Sequence, residues 1–398
     1  MLGSKLKVAV LGSTGSVGRQ ALDALSGVDY EAVLLTGGRN VKLLAEQALT
    51  YGAKVLAVPD GASAEELKTL LSGKPVKVYG GDGAIVKCIS ECGADVIVHS
   101  ISGMAGIPAA LAASKTGARL AIANKESVIS LGEEIFANVK KFSGELIPVD
   151  SEHSAIFQCL LSSGAVDASG NRKTDSVKRI LLTASGGPFF GMKRDELSKV
   201  TPEMALAHPT WKMGQKITVD CATLMNKGFE VIEATKLFGV DIDKIEVVVH
   251  RQSIIHSMVE YIDTMVIAQL GTPDMRHCVR YALSYPERMR VDESGLDFYA
   301  LSKLTFDKPD TEAFPLLDTA RAAYKMGTTA PAALIAADEE AVAAFIRGDI
   351  GYNEMSDVVI GALDEFKPHA SLGADEVFEA EREGRRLARK LIGKICNN

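Results

Sequence analysis

Over residues 1–149 the apolar positions come in short, nearly continuous runs separated by helical periodicities. The runs are Lys7–Leu11, Ala32–Thr36, Val55–Val58, Val96–Ser100, Leu120–Ala123 and Leu146–Val149, rich in Val, Ile, Leu and Ala. Strands that alternate with polar residues face water on one side, whereas continuous apolar strands are covered on both. Their alternation with helical segments predicts an α/β fold with a doubly wound, mostly parallel sheet. Beyond Val149 the spacing changes. Longer strand-like runs appear at Val177–Ala184, Ile245–His250, Ser257–Tyr261 and Met265–Leu270, the last three with connections short enough for antiparallel neighbours. A polar, Pro-containing connector covers 307–314, and from Leu316 the chain reads helical and Ala-rich. In its last segment Asp375, Glu376 and Glu379 come early and Arg385, Arg386, Arg389 and Lys390 late, the order that complements a helix dipole. The expected division is 1–149, 150–306 and 307–398.

Composition narrows the class. At 398 residues, 47% hydrophobic and 24% charged, the chain has the profile of a globular protein with more than one domain. A formal net charge of −7 argues against general nucleic-acid binding. No apolar run approaches the roughly 18 residues of a membrane helix. The first strand begins so near the N-terminus that no signal or transit peptide is expected ahead of it. Cys88, Cys92, Cys159, Cys221, Cys278 and Cys396 are scattered and read as reduced thiols, not a disulfide framework. Together these predict a cytoplasmic location.

The candidate chemistry sits at strand ends. Gly12-Ser13-Thr14-Gly15-Ser16-Val17-Gly18 follows the first strand and precedes a helical pattern. There it reads as a dinucleotide-binding turn, in which glycines bring the backbone close to a pyrophosphate at a helix N-terminus. An NAD-selective site carries an acid at the end of the second strand; this chain has Gly37, Gly38, Arg39 and Asn40. Arg39 suits a 2′-phosphate, so the expected cofactor is NADPH. Asn124 and Lys125 close a further strand and point to the ligand crevice.

Asp150-Ser151-Glu152-His153 follow the strand Leu146–Val149. If the strand continued, Asp150 and Glu152 would share a side. Two carboxylates aimed into one cavity repel unless a cation lies between them, and hard oxygen donors favour Mg²⁺ or Mn²⁺ over zinc. Ser185-Gly186-Gly187 after Val177–Leu182 offers a hydroxyl and successive backbone N–H groups as an anion nest. His208-Pro209-Thr210-Trp211-Lys212-Met213-Gly214 has the make-up of a loop that closes over a ligand. Ile217 and Val219 read as strand, and the following Asn226, Lys227, Gly228 and Glu230 crowd an amide, an ammonium, a glycine and a carboxylate together. Asn226 and Lys227 suit a phosphate, Gly228 a close backbone approach, and Glu230 a metal or hydroxyl. A capped helix start explains the same residues equally well.

In order and spacing, GSTGSVG at 12–18, ANKES at 123–127, VDSEHSA at 149–155, TASGGPF at 183–189, HPTWKMG at 208–214 and NKGFE at 226–230 resemble the 1-deoxy-D-xylulose 5-phosphate reductoisomerase family. Each motif alone is weak, and together they are specific. The resemblance implies an N-terminal Rossmann-like NADPH domain, a central α+β catalytic domain with a dimerisation sheet, and a C-terminal α-helical domain. It also implies a homodimer in the cytosol that acts on a small sugar phosphate. By the same resemblance, Asp150, Glu152 and Glu230 match the metal ligands. Lys125, Ser151 and His208 match residues around the substrate carbon skeleton, and Ser185, Asn226 and Lys227 the phosphate site. Thr14, Gly15, Ser16, Val17, Gly38, Arg39, Asn40, Asn124, Glu126 and Gly214 match NADPH contacts, and Trp211 and Met213 the lid. One position departs: the family's phosphate-binding serine after the aspartate is here Cys221, a weaker donor. A semialdehyde- or homoserine-type dehydrogenase shares the N-terminal fold without needing the carboxylates, and metal dependence separates the two. A non-catalytic NADPH sensor would have no use for a phosphate pocket.

Overall fold

The computed structural model describes residues 5–207 and 213–397. It divides into two compact units. The first comprises the chain up to Ser127, Gly132–Lys173 and Asp274–Gly295; the second comprises Val128–Leu131, Thr174–Pro273 and the chain from Leu296.

The first unit is built on a seven-stranded sheet of β1 (Leu6–Leu11), β2 (Tyr30–Thr36), β3 (Val55–Val58), β4 (Lys77–Gly80), β5 (Val96–His99), β6 (Arg119–Ile122) and β7 (Glu145–Pro148). The order is β4-β3-β2-β1-β5-β6-β7 and every pairing is parallel. The six expected strands are present. The seventh, β4, has no apolar run because it is an edge strand with mostly exposed positions. Val8, Ala9, Val10 and Leu11 in the centre have no exposure, which is why their run is unbroken. Strand order reverses between β1 and β5, and open sheets bind ligands beyond the strand C-termini at such a point.

A late segment completes this unit. The helix Met275–Ser284 packs on the helix Ser16–Ala24. Arg119 on β6 donates from Nη1 to the Ala282 and Leu283 carbonyls at 3.3 and 3.1 Å, satisfying the free acceptors of that helix's last turn.

In the second unit a four-stranded sheet of β8 (Val177–Ala184), β9 (Ile245–Val249), β10 (Ile255–Tyr261) and β11 (Val266–Leu270) runs in the order β11-β10-β8-β9. The expected antiparallel neighbours are realised for β10 and β11. They are not realised for β9, which lies parallel to β8 instead. The reason is the helix Met225–Phe238 between them, which turns β8-helix-β9 into a crossover unit. Four helices follow the connector: Leu316–Met326, Ala330–Arg347, Tyr352–Glu365 and Ala374–Cys396. The second of these is buried almost all round. Gly384 lets the last approach it, since a Cβ there would stand 2.6 Å from the Ala333 carbonyl oxygen. Among the described residues no helix is long and apolar enough to cross a membrane.

Candidate functional site

The dinucleotide-type turn is set by contacts that exclude side chains. Gly12 sits at φ +79°, and a Cβ on it would be 2.8 Å from the Ser100 carbonyl oxygen. A Cβ on Gly18 would be 2.2 Å from the Gly12 carbonyl oxygen, so only glycine lets the helix start this close to β1. The helix Ser16–Ala24 has Gly15 at its N-cap with no side-chain cap, which leaves its first N–H groups available for an anion. Thr14, Ser16 and Val17 are half-buried around this opening. At the end of β2, Gly38 faces open space and Arg39 is exposed, with no hydrogen bond or ion pair among the described residues. Asn40 caps the helix Val41–Tyr51 by accepting from the Leu43 N–H at 3.2 Å. These features fit a phosphorylated dinucleotide. His99, the last residue of β5, lies at the same sheet edge with no exposure, beside the Gly106 backbone. Burial lowers its pKa from 6.5 to about 4.

At the ends of β6 and β7 the structure brings Lys125, Asp150 and Glu152 together. Asn124 caps the helix Lys125–Lys141, accepting from the Ser127 N–H at 3.0 Å and donating to the Gly103 carbonyl at 3.1 Å and to Glu126 at 2.6 Å. Its side chain is thereby occupied within the protein. Lys125 Nζ stands 2.8 Å from Asp150 Oδ2. The expected continuation of strand through Asp150 and Glu152 is incorrect: β7 ends at Pro148, and a helix Ser151–Leu161 begins with Asp150 at its N-cap. A carboxylate at N-cap and another in the first turn are drawn to the same helix end, so the two still converge. Their oxygens lie within 4.8 Å of one another. Ser151 is buried and donates to Glu152. Burial pushes the neighbouring Cys278 thiol up to about 12, so it stays protonated and the donor set remains hard oxygen. Two converging carboxylates with one lysine fit a divalent cation of the Mg²⁺ or Mn²⁺ type.

In the second unit, Ile217 and Val219 lie in a helix, Gln215–Ala222, and not in the expected strand. Two β-branched residues at alternate positions imitate a strand, but Val219 and Ala222 face the core with helical spacing. Gly214 is the N-cap of this helix, directly after Met213. The chain then reverses at Leu224 (φ +61°) into the helix Met225–Phe238, buried along nearly its whole length. Asn226 donates to Glu230 Oε1 at 2.5 Å, and the Lys227 ammonium pairs with the same carboxylate. Asn226 Oδ1 has no partner among the described residues. An ammonium in the first turn of a helix opposes the dipole, and here the Glu230 carboxylate compensates its charge. Gly228, read from the sequence as a place for a ligand to approach, is a packing glycine: a Cβ there would meet the Ala320 methyl at 2.6 Å. After β8, Gly186 and Gly187 take consecutive positive φ values of +78° and +67°, a left-handed turn that glycine adopts without strain. Gly187 donates its N–H to Ser185 Oγ at 3.3 Å, and a Cβ on it would be 2.6 Å from the Cys221 carbonyl oxygen. The glycine turn and the Cys221 turn are therefore in contact. His208 and Trp211 lie outside the described residues.

A triad of one half-buried lysine and two buried acids was not foreseen. Lys216 Nζ is 2.6 Å from Asp220 and 2.7 Å from Asp338 of the helix Ala330–Arg347. Burial opposes the lysine's charge, but the two acids hold it well above the usual lysine range. Asp220 is raised by burial and by its neighbour Asp338. Lys216 and Asp220 have visible helical spacing in sequence; nothing local connects either to Asp338.

Comparison with known proteins gives consistent matches. A 1-deoxy-D-xylulose 5-phosphate reductoisomerase family model matches residues 8–132. Models of the C-terminal domains of the same enzyme match residues 146–238 and 270–387. A 1-deoxy-D-xylulose 5-phosphate reductoisomerase of Caldanaerobacter subterraneus subsp. tengcongensis is 47% identical over 390 residues, covering 97% of this chain and 99% of the relative. The Zymomonas mobilis enzyme, solved with NADPH, superposes with a TM-score of 0.89 at 41% identity, covering 98% of this chain and 99% of that one. A DOX-P reductoisomerase solved with NADPH, fosmidomycin and magnesium superposes with a TM-score of 0.91 at 34% identity, covering 98% of each chain.

Proposed function

The chain belongs to the 1-deoxy-D-xylulose 5-phosphate reductoisomerase family, and on that premise we propose that it converts 1-deoxy-D-xylulose 5-phosphate to 2-C-methyl-D-erythritol 4-phosphate in isoprenoid biosynthesis, using NADPH and a divalent metal. The observation that carries the site assignment is the convergence of Asp150 and Glu152 beside the Lys125 ammonium. When bound, NADPH supplies the hydride, and the metal supplies Lewis-acid polarisation of the substrate oxygens.

The chain's own residues do the rest. Asp150, Glu152 and, by the family resemblance, Glu230 hold the metal. Lys125, whose ammonium is already turned toward this corner, donates to the oxygen on which negative charge grows while the carbon skeleton rearranges. That rearrangement breaks one carbon–carbon bond and forms another, giving an aldehyde, which then takes up the hydride and a proton. Ser151 and His208 orient the carbon skeleton. The Ser185–Gly187 turn, Cys221, Asn226 and Lys227 hold the phosphate, which is remote from the reacting bonds, so its binding energy goes into position. The helix N-terminus at Ser16 receives the pyrophosphate and Arg39 the 2′-phosphate, with Gly38, Asn40, Glu126 and Gly214 around the dinucleotide. Trp211 and Met213 close over the site and exclude water.

The functional unit is a homodimer. The edge strand β11 and the turn before it leave Ile262, Met265, Val266 and Ile267 exposed, and apolar side chains left open along a sheet edge suit an interface. We place the enzyme in the cytosol, in keeping with its free cysteines. Oxidation of NADPH on addition of the sugar phosphate, with Mg²⁺ or Mn²⁺ and again after chelation, tests the assignment. Metal-dependent loss of NADPH supports it; a folded, NADPH-binding protein that turns over no sugar phosphate refutes it.

A further inference from the structure

A buried polar network under the dinucleotide turn has no part in the roles above. Ser13 has no exposure and Gln47, on the helix Val41–Tyr51, has 5%. Gln47 Nε2 donates to the Ser13 carbonyl at 2.9 Å, and Ser13 Oγ lies 2.8 Å from Gln47 Oε1. The Ser13 carbonyl only accepts, which fixes which end of the amide faces it and leaves Oε1 to accept from the hydroxyl. The Ser13 N–H donates to the Thr36 carbonyl at 2.8 Å, and the Gly12 N–H donates to Thr36 Oγ1 at 2.9 Å. Thr36 is the last residue of β2, immediately before Gly37-Gly38-Arg39-Asn40, and Asn40 caps the helix that carries Gln47.

One amide therefore spans two loops with separate tasks. It grips the turn that receives the pyrophosphate, and it sits on the helix that begins at the loop bearing Arg39. Local sequence does not connect them, since Ser13 and Gln47 are 34 positions apart. We propose that Gln47 is a positioning residue for cofactor selection: through Ser13 it fixes the register between the pyrophosphate turn and the Arg39 loop, so that a phosphate on the ribose is met by the guanidinium only when both ends of the dinucleotide are seated. This rests on the NADPH reading of the turn. Pairing at two points of one rigid ligand contributes fully only when their spacing is held, because misplacement by an ångström forfeits hydrogen bonds that need narrow geometry.

The test is Gln47→Met, which keeps length and volume and removes both hydrogen bonds, measured in the full-length enzyme. The expected result is a KM for NADPH raised about 10-fold, equivalent to about 1.4 kcal/mol. The preference for NADPH over NADH falls several-fold, while the KM for the sugar phosphate stays unchanged. A purely structural role would lower the melting temperature without moving the NADPH-to-NADH ratio. A folded Gln47→Met enzyme whose NADPH KM and ratio lie within twofold of wild type overturns the proposal. If Gln47→Met does not fold, Ser13→Ala removes the hydroxyl alone and is expected to shift the ratio in the same direction; an unmoved ratio there overturns it equally. Wild-type enzyme that oxidises no NADPH with the sugar phosphate would instead sink the functional reading, whereas active wild type with an unmoved ratio in the variant sinks only the role of Gln47.

Discussion

His99 makes the stability of the first unit depend on pH in a calculable way. Its ring is fully buried at the end of β5, and its pKa is lowered from 6.5 to about 4 by burial, which a hydrogen bond with the Gly106 backbone offsets only in part. The folded form therefore keeps the imidazole neutral down to about pH 4, while the unfolded chain takes a proton near 6.5. Between those values the unfolded state binds more protons, so stability is fully present above 6.5 and is lost as pH falls toward 4. At about 1.4 kcal/mol per pH unit the whole loss is about 3 kcal/mol, of which about 2 kcal/mol is reached by about pH 5. Most carboxylates remain ionised there, so the histidine contribution stands apart. The perturbation is His99→Leu, which removes the titration. Urea unfolding followed by circular dichroism at about pH 7.5 and about pH 5 gives the difference between wild type and variant at each pH. That difference is expected to move by about 2 kcal/mol in the variant's favour on acidification. A difference constant within about 0.5 kcal/mol would show that the ring is hydrated or paired in solution and that burial does not set its titration.

The remaining predictions concern the site. Cys221→Ser is expected to lower the KM for the sugar phosphate by a few-fold with little change in kcat, because a hydroxyl is a better donor than a thiol; a KM that stays equal or rises removes Cys221 from the phosphate site. Glu230→Gln is expected to reduce kcat by more than the roughly 10–100-fold typical of outer partners of a metal site. Near-normal turnover at saturating metal would take Glu230 out of the ligand set. Gly18→Ala places a methyl 2.2 Å from the Gly12 carbonyl oxygen and is expected to raise the KM for NADPH far more than that for the sugar phosphate, measured by varying each in turn. Fosmidomycin is expected to inhibit in competition with the sugar phosphate; inhibition that ignores substrate concentration would argue against a shared phosphate and metal site.

Legibility in the sequence followed burial. Six strands of the parallel sheet, the edge strand β7 among them, could be read because both of their faces are covered, which makes the apolar run continuous. β4 could not, because an exposed edge strand such as Lys77–Gly80 is free to be polar. The helix Gln215–Ala222 was masked by Ile217 and Val219, whose alternation imitates a pleat until the tertiary environment of Val219 and Ala222 is known. The placement of β9 beside β8 depends on a crossover, which short connections alone do not disclose. The meeting of Lys125 and Asp150 could be anticipated because both follow strand C-termini, which a parallel sheet brings to one edge. Gln47 and Asp338 were not, because a buried amide or carboxylate is defined by a partner far away in the chain.

The helix Met275–Ser284 has a consequence for how the molecule comes into being. It lies against the helix Ser16–Ala24 and supplies the carbonyls that Arg119 binds, although it is encoded far downstream of both. A nascent chain leaving the ribosome can form the parallel sheet early, but one side of its first helix stays bare until the segment Asp274–Gly295 has been made. The N-terminal unit is thus not an autonomous translation product. A protein cut after its dinucleotide-binding region would expose apolar surface and leave Arg119 with Glu145 but without its two carbonyl partners, inviting chaperones and proteases before any cofactor arrives.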